Sequence, residues 1–375
     1  MRIAFTAPMK PLDDPVPSGD RTMGRLIVKA LEAAGHEVET ATRFRAWRAT
    51  GGVDVQKEVE RAALAEAEHM AGAWRSRGYR PDLFLTYHLY HKAPDWIGPA
   101  IAAEFGIPYV VVEASRAPKR RTGEWAHGFA AADAALARAD MVAALHRADR
   151  QCLADVVPPH RLAVLAPFID AAPFLRAERK PRHTGEPLRL LAIGMMREGA
   201  KLASYRVLAE ALDRLPASLR FTLTIAGDGP GRAEVEALLS RHPVTFTGTL
   251  APEDIPALCA AHDIFVWPAI REAFGLVFLE AQAAGLAIVG GDTFGVPDIV
   301  AHGRTGLLSA EGDAAAFAAN LAALLSHPER AAAMGAAARD HIGADHDLAS
   351  GAGRLDALLS RALRNFAGRA TASPQ

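Results

Sequence analysis

The chain has 375 residues, half of them hydrophobic and 23% charged, with 42 Lys and Arg set against 43 Asp and Glu. That length exceeds one ordinary core and suits two domains of about 150–200 residues, while balanced charge without a basic stripe interleaved with aromatics argues against a nucleic-acid partner. The start "MRIAFTAPMK" lacks the apolar region of a signal peptide, and no run reaches the roughly 18 apolar residues of a membrane span, so the expected location is cytoplasmic.

From the N-terminus, short apolar runs alternate with longer helical patterns, the sign of a parallel sheet wrapped by helices. "RIAFTAP", "HEVETAT", "DLFLTYH", "PYVVVEA" and "MVAAL" read as strands. Between them "TMGRLIVKALEAAG", "QKEVERAALAEAEHMAGAWRSRG", "APDWIGPAIAAEFG" and "GFAAADAALARA" read as helices. This makes residues 1–166 one doubly wound domain, with "AVLAPFID" as the approach to a linker at 167–187, where Pro, Arg, Lys, Gly and Thr lose all periodicity. A second alternation fills 188–346, with strands "LRLLAIG", "FTLTIAG", "VTFTG", "IFVWP" and "AIVGG". A last helical stretch within 347–375 follows a complete domain and is expected to pack back on the first. Cys152 and Cys259 have no CxxC spacing, so neither a disulfide framework nor a metal site is expected, and both read as small core residues.

In open parallel sheets, ligands bind beyond the C-terminal ends of the strands, where helix N-termini favour anions. Three loops qualify. "AIGMMREGAK" brings Arg197 and Lys201 before a helix, a cationic pair suited to a phosphate or diphosphate, or else two solvated bases. "IAGDGPGRAEV" has G-x-G-x-G spacing, and Thr245 and Thr247 stand where a ribose-binding acid would close a dinucleotide site, which leaves only a close backbone approach to some nucleotide. "PAIREAFGLVFLEAQAAG" places Glu272 in a loop and Glu280 on an apolar helix, on the order of 10 Å apart at 1.5 Å or more per residue. A buried carboxylate needs donors. The hydroxyls of an elongated ligand would supply them, as would a neighbouring Arg.

The segment "REAFGLVFLEAQAAGLAIVGGDTFGVPDIVAHGRTGLL", with E-x7-E, F-G, G-x-P-[DE]-I-V and T-G-L-L in order, closely resembles the donor-binding segment of the retaining family-4 glycosyltransferases. "IAGDGPGRAEVEALL", "VTFTGTLAPEDIPALCAAHDIFVWPA" and "RLAVLAPFIDAAPF" resemble the same family at successive positions. The resemblance implies an α/β GT-B fold, two Rossmann-like domains facing across a cleft, and transfer of a sugar from a nucleoside-diphosphate sugar to a glycan, lipid-linked or small-molecule acceptor, as in polysaccharide biosynthesis. It assigns Glu280 to the ribose, Glu272 to the transferred sugar, the backbone amides of Phe274, Gly275 and Leu276 to the diphosphate and sugar, Arg197 and Lys201 to the leaving diphosphate, and Gly19 to a backbone approach. Neither a metal nor another cofactor is expected, since cations on the diphosphate can carry the charge of the leaving group.

Two departures stand out. Met195 and Met196 separate Gly194 from Arg197 where the family has Gly-Arg, and Ala114 occupies the place of a family His, with His88, His91 and His127 as substitutes none of which is assigned. The run "RAPKRR", ending at Arg121, is a candidate contact for an anionic acceptor or for headgroups in peripheral membrane association. Competing readings are another GT-B enzyme such as a nucleotide-sugar epimerase, a silent nucleotide-sugar binding protein, and, against the missing fingerprint, a dehydrogenase.

Overall fold

A computed structural model describes the chain except residues 17, 184, 274 and 373–375, with backbone alone for 370–372. It divides into two compact units, one of residues 1–166 with 349–375, the other of residues 167–348.

The first unit is built on β1 (Arg2–Thr6), β2 (Glu37–Thr40), β3 (Leu83–Leu89), β4 (Tyr109–Ala114), β5 (Met141–Ala144) and β6 (Leu162–Val164). They form one parallel sheet in the order β2-β1-β3-β4-β5-β6. Helices cover both faces, which is why strands such as "YVVVEA" are apolar almost throughout. The chain leaves β1 for β2 on one side and returns to add β3 on the other. The C-terminal ends of β1 and β3 therefore flank a topological switch point, where a crevice opens in sheets of this kind. The helix Leu348–Ala372 lies on this unit through buried Leu355, Leu359 and Ala362, an apolar stripe at helical spacing. Asn365 donates to the Asp140 carbonyl oxygen (2.8 Å), and Arg369 pairs with the Asp140 carboxylate (3.0 Å).

The second unit repeats the plan with β7 (Leu188–Ile193), β8 (Phe221–Ala226), β9 (Val244–Gly248), β10 (Ile264–Trp267), β11 (Ala287–Asp292) and β12 (Gly306–Ala310). The order is β12-β11-β10-β7-β8-β9, all parallel, which puts the switch point between β7 and β10.

The structure adds elements that sequence patterning passes over. β6 is a three-residue edge strand that overlaps the start of the expected approach segment, β12 begins within "TGLL" and runs on to Ala310, and a helix spans Pro328–Asp345. The segment 167–187 is not a free linker. It carries the short helix Ala172–Arg176, and Arg179 donates to the carbonyl oxygens of Ala284 (2.9 Å), Gly285 (2.7 Å) and His262 (3.0 Å), which fixes the segment to the second unit. Its irregular composition reflects side chains that satisfy another segment's backbone. Cys259 is buried as expected, whereas Cys152 is only half-buried.

Candidate active site

Two loops meet at the switch point of the second unit. After β7 the chain makes a close turn at Gly194, where a Cβ would lie 2.8 Å from Cη2 of Trp267. Tyr205 donates its hydroxyl to the Gly194 carbonyl (2.8 Å) and stacks edge-on against Trp267 (5.0 Å between rings). The two methionines then part company: Met196 is fully buried, while Met195 points outward. Arg197 follows on an exposed turn and has no side-chain partner among the described residues. Lys201, in the first turn of the helix Ala200–Asp213, reaches the carboxylate of Glu272 and sits 5.4 Å from the ring centre of Trp267. The indole Nε1 of Trp267 also donates to Glu272 (3.4 Å). The structure thus joins Lys201, Glu272 and Trp267 and leaves Arg197 apart from them.

The loop after β10 is strained. Ala269 (φ 57°) and Arg271 (φ 50°) adopt the left-handed region without being glycine, at a cost of about 1–3 kcal/mol each. The surroundings hold them there: the Ile270 amide donates to Ser204 Oγ (3.0 Å), and the Pro268 carbonyl lies 1.9 Å from where a Cβ on Gly291 would be. Gly275 (φ 52°) caps the helix Leu276–Ala283, and Leu276 is 9% exposed beneath it. Phe274, assigned a backbone contact from the sequence, lies outside the described residues.

Glu280 occupies the middle of that helix, half-buried, and among the described residues its carboxylate has neither hydrogen bond nor ion pair. Burial pushes its carboxyl up to about 7. Gln282, two residues on, is fully buried and donates to the carbonyls of Ile299 (2.9 Å) and Phe278 (3.2 Å). No Arg pairs with Glu280, so the structural alternative for its burial is absent among the described residues.

The glycine-rich loop packs on the turn after β7. Gly227 (φ 130°) lies against the backbone of Gly194, whose carbonyl oxygen would be 2.1 Å from a Cβ, and Gly229 (φ 153°) lies against Met196 (2.4 Å). The Met196 amide donates to the Asp228 carbonyl (2.9 Å), and the Gly231 amide to that of Met196 (2.7 Å). The glycines let two backbones pack and thereby fix the turn that precedes Arg197 and Lys201.

At the switch point of the first unit, Gly19 opens the helix Gly19–Ala33, and a side chain there would meet nothing within 4 Å, so packing does not demand glycine. Asp20, next to it, takes a bond from His88 Nδ1 (2.5 Å) at the end of β3, and His88 Nε2 faces Glu113 (3.9 Å) at the end of β4. Sequence reasoning missed Asp20 and Glu113; the signal available was one carboxylate inside the apolar "YVVVEA" and one beside Gly19. Ala114 belongs to the apolar core, and this edge is supplied by Glu113 instead. Of the other histidines, His127 pairs with Glu60 (2.7 Å), and burial with nearby Arg120 and Lys92 drives His91 down to about 4. The basic run also divides. Arg116 is enclosed and pairs with Asp133 (2.8 Å) and Asp155 (2.9 Å), which leaves Lys119, Arg120 and Arg121 nearer the surface.

Among the described residues no group of three His, Cys, Asp or Glu is disposed to hold a metal ion, and no helix is long and apolar enough to cross a membrane.

Two doubly wound parallel sheets, the second with acid, base and strained loop gathered at its switch point, define a GT-B protein. Solved structures share the fold: sucrose-phosphate synthase from Thermosynechococcus elongatus is 20% identical over 97% of this chain and 99% of that one, with a TM-score of 0.72. Anabaena Alr3699/HepE, in complex with UDP and glucose, is 18% identical over 96% and 99%, with a TM-score of 0.67. Residues 187–327, within the second unit, match the family described as glycosyl transferases group 1. Sulfoquinovosyl transferase SQD2 of Arabidopsis thaliana is 36% identical over 159 residues, 42% of this chain and 30% of that protein. D-inositol 3-phosphate glycosyltransferase of Corynebacterium efficiens is 32% identical over 232 residues, 56% and 54% respectively. The matches thus span about half or less of these two relatives.

Proposed function

We propose that the protein is a retaining glycosyltransferase that needs no metal ion and moves a sugar from a nucleoside diphosphate to a hydroxyl acceptor. The observation that carries this reading is Glu280, a half-buried carboxylate with no partner, eight residues beyond Glu272 in the segment matched by the family. A ribose presents two hydroxyl donors, which suits an acceptor-only group in a desolvated place. The amides of Gly275 and Leu276 head the same helix and suit the anionic end of the donor. Without donor, Lys201 and Glu272 neutralise one another; a bound diphosphate would draw Lys201 toward phosphate oxygens and free Glu272 for the hydroxyls of the sugar. Arg197, exposed and unpaired among the described residues, would close on the diphosphate from its turn.

In the reaction the bond from the anomeric carbon to the diphosphate oxygen breaks, its electron pair leaving with the nucleoside diphosphate. The acceptor oxygen bonds to the same face of that carbon, and its proton passes to the departing diphosphate. Lys201 and Arg197 stabilise the charge that gathers on the leaving group, in a site held ready before the reaction by the fixed turn. Thermal shift with UDP, GDP, ADP and their sugars identifies the donor. Retention is read from the anomeric coupling of the product, and turnover in EDTA tests independence of metal. Stabilisation by a nucleotide without transfer or hydrolysis would favour a silent binding protein instead.

A further inference from the structure

The first unit holds a polar constellation that the donor chemistry does not use. Asp20, in the first turn of the helix that follows β1, meets His88 and Glu113, from the ends of β3 and β4, at the switch point of their sheet as Lys201 and Glu272 meet at that of the other. His88 (φ 62°) and Glu113 (φ 63°) are both left-handed without being glycine. Such strain persists only where the surroundings enforce it, and it gathers at sites that act on ligands.

Glu113 differs from the carboxylates that merely hold this unit together. Asp95, equally buried, accepts from Thr86 Oγ1 (2.6 Å), Tyr109 hydroxyl (2.8 Å), and the amides of Ile97 and Gly98 (both 2.9 Å). Glu113 is 5% exposed, and its Oε2 has no partner among the described residues; the hydroxyl of Tyr87, a residue 2% exposed that faces the charges of Glu113 and Asp20, has none among them either. Two enclosed polar atoms left unmatched at one switch point carry a desolvation cost that the polar groups of a bound ligand would relieve.

We propose that Asp20, His88, Glu113 and Tyr87 form the acceptor site, and that it takes the hydroxyl or ammonium groups of a neutral or cationic polyol and disfavours a phosphorylated one. This rests on the glycosyltransferase reading. The charges acting on the site are Asp20, Glu113 and Asp149 against the imidazoles of His88 and His146, an acidic balance that repels a phosphate. Burial raises the Glu113 carboxyl, with His88 offsetting it in part. For His88, burial opposes its charge, but the bond to Asp20 and the carboxylates of Glu113 and Asp149 outweigh it and hold the imidazole above its ordinary range. The preference departs from what the name of the D-inositol 3-phosphate glycosyltransferase relative says of that protein.

The test begins with nucleoside diphosphate binding by the wild type, whose failure counts against the activity reading and not against this site. With a working donor, transfer to myo-inositol, to glucosamine and to D-inositol 3-phosphate is compared. The expected result is kcat/KM at least tenfold lower for the phosphorylated acceptor, and Asp20→Asn raising KM for glucosamine tenfold with little change in kcat while improving the phosphorylated one. Preference for D-inositol 3-phosphate, or acceptor ratios unmoved in both Asp20→Asn and Glu113→Gln, would overturn the proposal. A readout without turnover is the NMR signal of His88 in histidine-labelled wild-type protein. It should shift saturably with myo-inositol or glucosamine; saturation by neither sinks the proposal whether or not the variants fold.

Discussion

Replacing Glu280 by Gln isolates the cost of keeping a charge in the helix Leu276–Ala283. Burial raises this carboxyl to about 7 from an ordinary value of 4.5, and each unit of pKa corresponds to about 1.4 kcal/mol, so ionised Glu280 costs the fold up to about 3 kcal/mol. Because the folded pKa lies above the unfolded one, the native state binds the extra proton between these values, and stability falls as pH rises from about 4.5 to about 7. The penalty is fully present above the folded pKa and absent below the unfolded one. Glu280→Gln removes it: at pH 8 the variant should be more stable than wild type by up to about 3 kcal/mol, and at pH 4.5 nearly equal to it. For a unit of this size 1 kcal/mol moves a transition by about 2–4 °C, so the expected gain is up to about 6–12 °C. Scanning calorimetry of both proteins at matched pH measures it. Donor affinity should run the other way, since ribose hydroxyls bind the ionised carboxylate: wild-type affinity for the nucleoside diphosphate rises with pH toward neutrality, and the Gln variant loses both affinity and the trend. A Gln variant that is less stable at pH 8, or whose gain is the same at pH 5 and pH 8, would refute the reasoning that desolvation governs this group.

Other expectations follow from contacts. Gly227→Ala combines a left-handed φ with a backbone oxygen at 2.1 Å, and should cost the second unit about 2 kcal/mol or more in urea denaturation; a neutral result would mean the turn at Gly194 can shift freely. Lys201→Met should lower kcat by about 10²–10³, as loss of a charge-stabilising donor does, while the melting temperature changes little; unaltered turnover would remove Lys201 from the leaving-group role. Arg116→Ala breaks an enclosed pair with two carboxylates and should destabilise the first unit by about 1–3 kcal/mol, since both partners are partly solvated. Lys119→Gln, Arg120→Gln and Arg121→Gln together should leave stability within about 0.5 kcal/mol, and any binding to vesicles of anionic lipid should fall with these three changes alone.

Much of this protein is written locally. Alternating apolar strands and amphipathic helices mark two doubly wound sheets, because burial on both faces leaves its signature on consecutive residues. The order of E-x7-E, the F-G pair and the later G-x-P motif marks the segment proposed to hold the donor without knowledge of any distance. Short elements escape this reading: three residues of β6 hold too little pattern, and the segment 167–187 looks irregular because Arg179 serves carbonyls about a hundred positions away.

The sequence by itself therefore determined the architecture and named Glu272, Glu280, Lys201 and Arg197. Only the tertiary structure decided which of them meet. Strand order puts Lys201 beside Glu272, 71 positions apart, and the packing of Gly227 and Gly229 on the Gly194–Met196 backbone fixes the turn that leaves Arg197 exposed. The same holds for Asp20, His88 and Glu113, separated in the chain and joined at the switch point of the first sheet. Periodicity records what each residue buries, whereas partnership across a sheet depends on the order in which the strands assemble.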